Sequence, residues 1–241
     1  MKAIILAAGR GSRLQMLTAE CPKALVPING ATLLERMIAA LRRTEVSEIG
    51  IVVGYRGAML EGFADKSFQN VRWAQTGIMT SLTCADSWLS QEPCIISYSD
   101  IFYESSLVSD LIQHPGDIVV GYDPAAVDLW RQRFDEPLAD LENFYIRNGR
   151  VRVIGKRAKN LERLNGQYMG FFKITPKGWR ALKEQLNLLP PAIRDEIDMT
   201  SLLNALINVN FPIAGVATYA PWGEVDCPSD IGLYERIYPE L

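Results

Sequence analysis

Apolar and polar positions follow two rhythms along the first half of the chain. Lys2–Leu6 is an apolar run of strand length, and Glu48–Val53, stopped by Gly54, is another. Between them Leu33, Leu34, Met37, Ile38 and Leu41 recur every three to four positions, which predicts a helix over Thr32–Arg42. The same reading predicts strands at Val71–Ala74, Pro93–Tyr98 and Asp117–Tyr122, and helices at Ser81–Leu89 and Ser106–Gln113. Strands alternating with helices imply βαβ units on a mostly parallel sheet.

The rhythm changes after Asp123. Leu129–Phe134 reads as a short helix or turn. Asn143–Ile146 and Arg150–Ile154 flank Asn148-Gly149, a hairpin signal because that pair accepts the positive φ angles of a tight turn. Tyr168–Ile174 and Gly215–Tyr219 read as strands, and Pro176–Leu186, Asp198–Ile207 and Asp230–Ile237 as helices. No repeat, low-complexity tract or flexible linker interrupts this order. One domain over residues 1–241 is expected, in two halves, 1–122 and 123–241, divided where the rhythm changes.

Composition narrows the chemistry. A hydrophobic fraction of 48% leaves enough apolar material for a large core in a 241-residue chain and excludes a disordered protein. A net charge of −3 argues against a nucleic-acid partner, which calls for a basic surface. No window approaches a transmembrane length, and Ala3–Ala8 is too short for a signal-peptide core, so a cytoplasmic protein with no membrane partner is expected. The four cysteines, Cys21, Cys84, Cys94 and Cys227, are scattered. The only histidine is His114, which argues against a zinc site or a Ser-His-Asp triad. The chemistry is left to carboxylates, lysines, arginines and backbone amides.

The segment Leu6-Ala7-Ala8-Gly9-Arg10-Gly11-Ser12-Arg13-Leu14 follows the first strand. Ala7 and Ala8 let a ligand approach the backbone, and Gly9 and Gly11 allow unusual φ angles and expose amide N–H groups. Arg13 adds a donor fork suited to phosphate, and Pro22-Lys23-Ala24-Leu25 offers a second cation. Such a loop can hold a triphosphate. It lacks the Gly-Lys-Ser/Thr of a Walker A motif and the third glycine of a dinucleotide fingerprint. Asp100 lies just past the apolar strand, at the carboxyl edge where open α/β sheets bind ligands, and a carboxylate facing a triphosphate loop suits Mg²⁺.

LAAGRGSRL followed by PKAL resembles the N-terminal signature of the nucleotidyltransferases that join a nucleoside triphosphate to a phosphorylated acceptor. Ser97–Tyr103, Leu129–Phe144, Ile154–Ala158, Gly166–Thr175, Asp198–Ile207 and Trp222–Ile231 extend the resemblance over nearly the whole chain. They look like the branch holding phosphocholine, phosphoglutamine and aminoethylphosphonate cytidylyltransferases. The resemblance implies a three-layer α/β/α, Rossmann-like fold with a mixed, mostly parallel central sheet, in which 1–122 is the nucleotide-binding half and 123–241 the acceptor-binding half. It also implies an Mg²⁺-dependent reaction of CTP with a small phosphorylated acceptor, releasing pyrophosphate. Asp100 and Asp226 match the family's metal-binding positions. Arg13 and Lys23 would stabilise the leaving pyrophosphate, and Lys156 matches a lysine that contacts the acceptor phosphate.

The nucleotide is expected against Leu6, Ala7, Ala8, Gly9, Gly11, Ser12, Arg13 and Lys23. Its base would lie near Gln75, Thr80 and Ser81, in a segment where Gly77 stands at a position often held by Asn in relatives. The acceptor is expected at Asp123, Trp130, Glu142, Lys156, Gln167 and Tyr168, where an aromatic group with carboxylates suits a cationic amine. Arg133 and Asp140 belong to the same segment, and Asp230 is expected to cap the last helix. That helix offers a surface for a homodimer. A product destined for capsule, lipid or teichoic-acid decoration, or for a phosphonate, fits the resemblance. Alternatives are a uridylyl- or thymidylyltransferase acting on a sugar-1-phosphate, a non-catalytic nucleotide sensor, and a glycosyltransferase. The absence of a DxD motif counts against the last.

Overall fold

Alternation along the first strand decides which side of the sheet each residue fills. Ala3, Ile5 and Ala7 enter one core and Ile4, Leu6 and Ala8 the other. The structure is a computed structural model and describes residues 1–241. In chain order the first half comprises β1 (Lys2–Ala7), β2 (Pro27–Ile28), β3 (Ala31–Thr32), α1 (Leu33–Arg42), β4 (Glu48–Val53), β5 (Lys66–Gln69), α2 (Ile78–Thr83) and α3 (Asp86–Leu89). Then come β6 (Cys94–Tyr98), β7 (Ile101–Tyr103), α4 (Ser105–Gln113), β8 (Ile118–Asp123), α5 (Ala126–Arg133), β9 (Glu142–Arg147) and β10 (Arg150–Arg157). The chain closes with β11 (Gln167–Ile174), α6 (Pro176–Asn187), α7 (Pro191–Glu196), α8 (Met199–Asn208), β12 (Ala214–Ala217), β13 (Trp222–Glu224) and α9 (Pro228–Ile237).

Nine strands form one sheet in the order β5-β4-β1-β6-β11-β8-β12-β10-β9. Strands β5, β4, β1 and β6 are parallel neighbours, β11 runs against both β6 and β8, β12 is parallel to β8, and β10 opposes β12 and β9. Only β11 and β10 therefore point against the rest, and the sheet is mixed as expected. On one face α1 and α4 bury Leu33, Leu34, Met37, Leu41, Leu107 and Leu111. On the other, α6 and α8 bury Trp179, Leu182, Leu202, Leu203 and Leu206. That is a three-layer α/β/α fold. Helix α1 begins at a capping box in which Thr32 and Glu35 satisfy each other's backbone N–H groups.

Two expectations about elements fail. Val71–Ala74 is a turn, and the edge strand is β5, whose Lys66-Ser67-Phe68-Gln69 buries only Phe68. A strand at a sheet edge needs one inward residue rather than an apolar run, so its pattern is faint. The helix expected at Ser81–Leu89 is two short ones, α2 starting earlier at Ile78 and α3 at Asp86. Thr80 and Ser81 therefore lie inside α2 and do not cap it. Two strands with no forecast, β7 and β13, pair with each other and bring Asp100 beside Val225, whose N–H donates to the Asp100 carbonyl at 2.8 Å. No helix is long and apolar enough to cross a membrane.

Candidate active site

The carboxyl ends of β1 and β6 meet at a cleft made of two adjoining cavities of about 380 and 360 Å³. Arg13, Ile78 and Tyr98 line both. The first cavity has a phosphate-suited end, with Gly9, Gly11, Ser12, Arg13, Lys23 and Asp100 in its wall. Leu6, Ala8, Trp73, Thr76, Gly77 and Ser81 complete its wall.

Gly11 has φ +66°, and a Cβ there would lie 2.9 Å from Lys23 Cβ and Cδ, so only glycine lets Lys23 pass beneath the loop. Gly9 has an ordinary backbone conformation and open space beside it, so the unusual φ belongs to Gly11 alone. Thr18 Oγ1 donates to the Gly11 carbonyl at 2.9 Å and anchors the loop.

Lys23 is buried, and its Nζ donates to Asp100 Oδ2 at 2.8 Å and to Asp226 Oδ1 at 2.6 Å. Burial acts to lower the lysine's pKa, but the charges of Asp100 and Asp226 outweigh it and hold it up at about 12. Arg13 lies 2.8 Å from Asp226 Oδ1. Burial works against the Asp226 carboxylate, yet Lys23, with help from Arg13, holds it below the usual range. Asp100, Glu224 and Asp226 offer oxygens all within 4.8 Å of one another. Burial, then the charges of Asp226 and Asp100, push the Glu224 carboxyl up. Asp100 Oδ1 is buried with no hydrogen-bond partner, in a wall of hard oxygen donors. That donor set fits a hard divalent cation.

Behind the cluster stands Arg133 of α5, with a fully buried side chain. Its Nε donates to Asp230 Oδ1 at 3.0 Å and its NH2 to Asp230 Oδ2 at 3.1 Å, while NH1 reaches Glu224 Oε2 at 3.4 Å. Asp230 also accepts from the Asp226 N–H at 2.8 Å and the Cys227 N–H at 3.0 Å. It sits at the third position of α9 in a capping box, and the cap itself is Cys227. Asp226 is thus held from both sides.

The second cavity takes Asp140, Glu142, Gln167, Tyr168, Asp198, Thr200, Glu224 and Asp226 into its wall, with Arg157 as a cation besides Arg13. Strand β11 bulges at Gly170, φ +70°, where a Cβ would strike the Tyr98 ring at 2.7 Å. That bulge seats Tyr98 edge-on to Tyr168 between the cavities, ring centroids 6.0 Å apart. Gln167 is buried, and its Oε1 accepts from the Glu142 N–H at 3.2 Å.

The structure brings Leu6, Ala8, Gly9, Gly11, Ser12, Arg13, Lys23, Ser81, Asp100, Asp226, Glu142, Gln167 and Tyr168 to this cleft. It does not bring six other residues there. Ala7 points into the core beneath the sheet. Gln75 is exposed in the turn before α2, and Thr80 lines neither cavity. Trp130 is fully buried, with Nε1 donating to Asp140 Oδ2 at 3.0 Å and its ring against Trp222. Asp123 is buried and accepts from the Ala125 N–H at 2.7 Å and Trp222 Nε1 at 2.9 Å. Lys156 is the extra residue of a bulge in β10, with φ +57°, exposed, and Arg157 faces the cavity in its stead.

Sequence reasoning passed over Glu224, Asp198, Arg157 and Trp73, and took Thr76 only as part of the base-recognition segment Gln75–Leu82. Glu224 had a signal, two residues before Asp226 on an extended segment, which places both on one face. Trp73 had none, because its wall exists only once the turn after β5 folds back over Gly54.

A model of the MobA-like NTP transferase domain matches residues 3–167. The chain is 31% identical to CTP:phosphoglutamine cytidylyltransferase of Campylobacter jejuni, with 96% of this chain and 98% of that protein covered. Over 55 residues, 23% of this chain and 24% of the relative, it is 51% identical to choline-phosphate cytidylyltransferase of Streptococcus pneumoniae. Its fold superposes on inositol-1-phosphate CTP transferase from T. maritima with a TM-score of 0.74 at 19% identity, covering 100% and 97% of the two chains. With the triphosphate-suited loop, the acidic cluster and the paired cavities already in place, these matches identify the chain as a nucleotidyltransferase belonging to the MobA-like NTP transferase domain family.

Proposed function

We propose that this chain transfers a cytidylyl group from CTP to a small phosphorylated acceptor, releasing pyrophosphate, with Mg²⁺ as the metal. The observation that carries this is the junction of the two cavities. Lys23 joins Asp100 to Asp226 there, with Arg13 beside them, between a phosphate-suited loop and a polar second cavity. Both relatives named above are cytidylyltransferases by description.

An oxygen of the acceptor's phosphate or phosphonate forms a bond to the α-phosphorus, the bond from that phosphorus to the α,β-bridging oxygen breaks, and pyrophosphate departs with the electron pair. The attacking oxygen is anionic at neutral pH, so the step asks for alignment and charge neutralisation and not for a general base. The loop amides of Gly9, Gly11 and Ser12 cradle the β- and γ-phosphates, while Arg13 and Lys23 neutralise the growing charge on the leaving group. Asp100 and Asp226, joined by Glu224, would hold the Mg²⁺, which when bound lowers the repulsion between the two anions and acts as a Lewis acid on the α-phosphoryl group. Tyr98 and Ile78 keep the reactants on a common axis by forming a wall of both cavities.

The acceptor is a small phosphorylated amine, amino acid or phosphonate. Asp140, Glu142 and Asp198 line the far part of the second cavity and suit an ammonium group, and Arg157 suits a carboxylate. The test is pyrophosphate release with Mg²⁺, crossing four nucleoside triphosphates against phosphocholine, aminoethylphosphonate, phosphoglutamine and glucose-1-phosphate. Release with CTP and an amine-bearing acceptor is expected. Release with UTP or dTTP and the sugar phosphate would move the protein to the sugar nucleotidyltransferases.

A further inference from the structure

The part of the first cavity's wall formed by the turn after β5 and the start of α2 carries a directional hydrogen-bond arrangement. Asn70 is 2% exposed, behind the wall. Its Oδ1 accepts from the Arg72 backbone N–H at 3.0 Å. A backbone N–H can only donate, so this contact fixes which side of the Asn70 amide is oxygen. Nδ2 must then face the other way, where it donates to Thr76 Oγ1 at 3.1 Å and to Ser81 Oγ at 3.0 Å. Each hydroxyl's own proton also faces a carbonyl. Thr76 Oγ1 donates to the Arg72 carbonyl at 2.9 Å, and Ser81 Oγ to the Gly77 carbonyl at 3.4 Å.

A hydroxyl has one donor and two acceptor positions. With its proton given away and one lone pair filled by Asn70, each oxygen retains a single free capacity, and that capacity accepts. Both residues line the cavity. The nearby backbone offers no donor at Gly77, whose N–H is taken by the Asp195 carbonyl at 2.6 Å. Two acceptors thus flank one amide nitrogen, in a wall that also holds Trp73.

We propose that Thr76 and Ser81 select cytosine by accepting from the two N–H groups of its 4-amino substituent, with Asn70 as the positioning residue that holds both hydroxyls in the accepting state. Cytosine presents a donor at that position, where uracil and thymine present an oxygen. An oxo group there would meet two lone pairs with no hydrogen between them. The inference rests on the cytidylyl reading of the site and supplies the base contact that Gly77 lacks a side chain to make.

The experiment is calorimetric titration of the intact protein with CTP and with UTP in the presence of Mg²⁺, which needs no acceptor. The wild type is expected to bind CTP at least about tenfold tighter, the worth of one good hydrogen bond. Thr76→Val and Ser81→Ala should each weaken CTP by about tenfold and leave UTP binding unchanged or tighter. Thr76→Ser, which keeps the hydroxyl, should retain the preference, and a melting curve for each variant separates lost folding from lost selectivity. A wild-type CTP preference that survives in folded Thr76→Val and Ser81→Ala would overturn this assignment while leaving the cytidylyl reading intact. Equal or tighter binding of UTP by the wild type would overturn both.

Discussion

Trp130 shows how residue type and residue place separate. An aromatic side chain in a segment rich in carboxylates looks like a binding surface for an amine, yet the indole is sealed in the core and bonded to Asp140. Trp130→Ala should therefore destabilise the protein by about 3–5 kcal/mol, as buried large-to-small changes do. Trp130→Phe should cost less and leave the KM for the acceptor within about twofold, once measured below the lowered melting temperature. A rise in KM of tenfold or more in the folded Phe variant would return Trp130 to the acceptor site. Asp100 is the opposite case. Its Oδ1 has no partner, and Lys23 keeps Asp226 when the Oδ2 contact is lost, so Asp100→Ala should keep its fold while pyrophosphate release falls by about 10²–10³. The placing of the loop glycines, Arg13, Lys23 and Asp100 at one cleft was legible because each belongs to a local strand-and-loop pattern, whereas Asp226 was reached through the resemblance. The placing of Trp130, Asp123 and Lys156 was not legible, because a core partner or a bulge redirects each side chain, and neither leaves a mark on its own residue.

Among the elements, those with a full apolar face were legible and those resting on one contact were not. Helix α1 and strands β1, β4 and β6 lie close to where their periodicity puts them. β5, β7 and β13 escaped notice because a strand of three or four residues has too few positions to show a period. The segment α7 also escaped, and it explains Gly77. A Cβ at Gly77 would lie 3.2 Å from the Glu196 carbonyl and 3.4 Å from that of Asp195, so α7 packs onto backbone where a side chain would stand. Gly77→Asn should push α7 away from the turn before α2 and, by shifting Thr76 and Ile78 in the cavity wall, weaken nucleotide binding several-fold, with a loss of stability near 1 kcal/mol, the centre of ordinary substitutions. Calorimetric titration and chemical denaturation of one preparation would read both quantities. Arg133 governs a larger contact, between α5 and α9. Arg133→Met leaves Asp230 and Glu224 without their cation and should cost about 3–5 kcal/mol, readable as a shift in the denaturation midpoint.

For the whole molecule the question is what holds four neighbouring carboxylates together at the edge of the sheet. Asp100, Glu224, Asp226 and Asp230 come from segments more than a hundred residues apart, and like charges at such range repel. The protein answers with cations of its own: Lys23 on Asp100 and Asp226, Arg13 on Asp226, and Arg133 on Glu224 and Asp230. Those contacts neutralise the cluster from within the fold, so a divalent cation is not needed to keep the second half of the chain docked on the first. Chelation should then abolish pyrophosphate release while moving the melting temperature by less than about 2 °C, the low end of the shift that 1 kcal/mol produces in a chain of this size. CTP with Mg²⁺ at a hundredfold its dissociation constant should add about 2.7 kcal/mol by mass action and raise the midpoint by roughly 5–10 °C. Scanning calorimetry of the stripped protein, with and without nucleotide, distinguishes the two. A drop of 10 °C or more on chelation alone would mean that the metal, and not Lys23, holds the acidic edge in place.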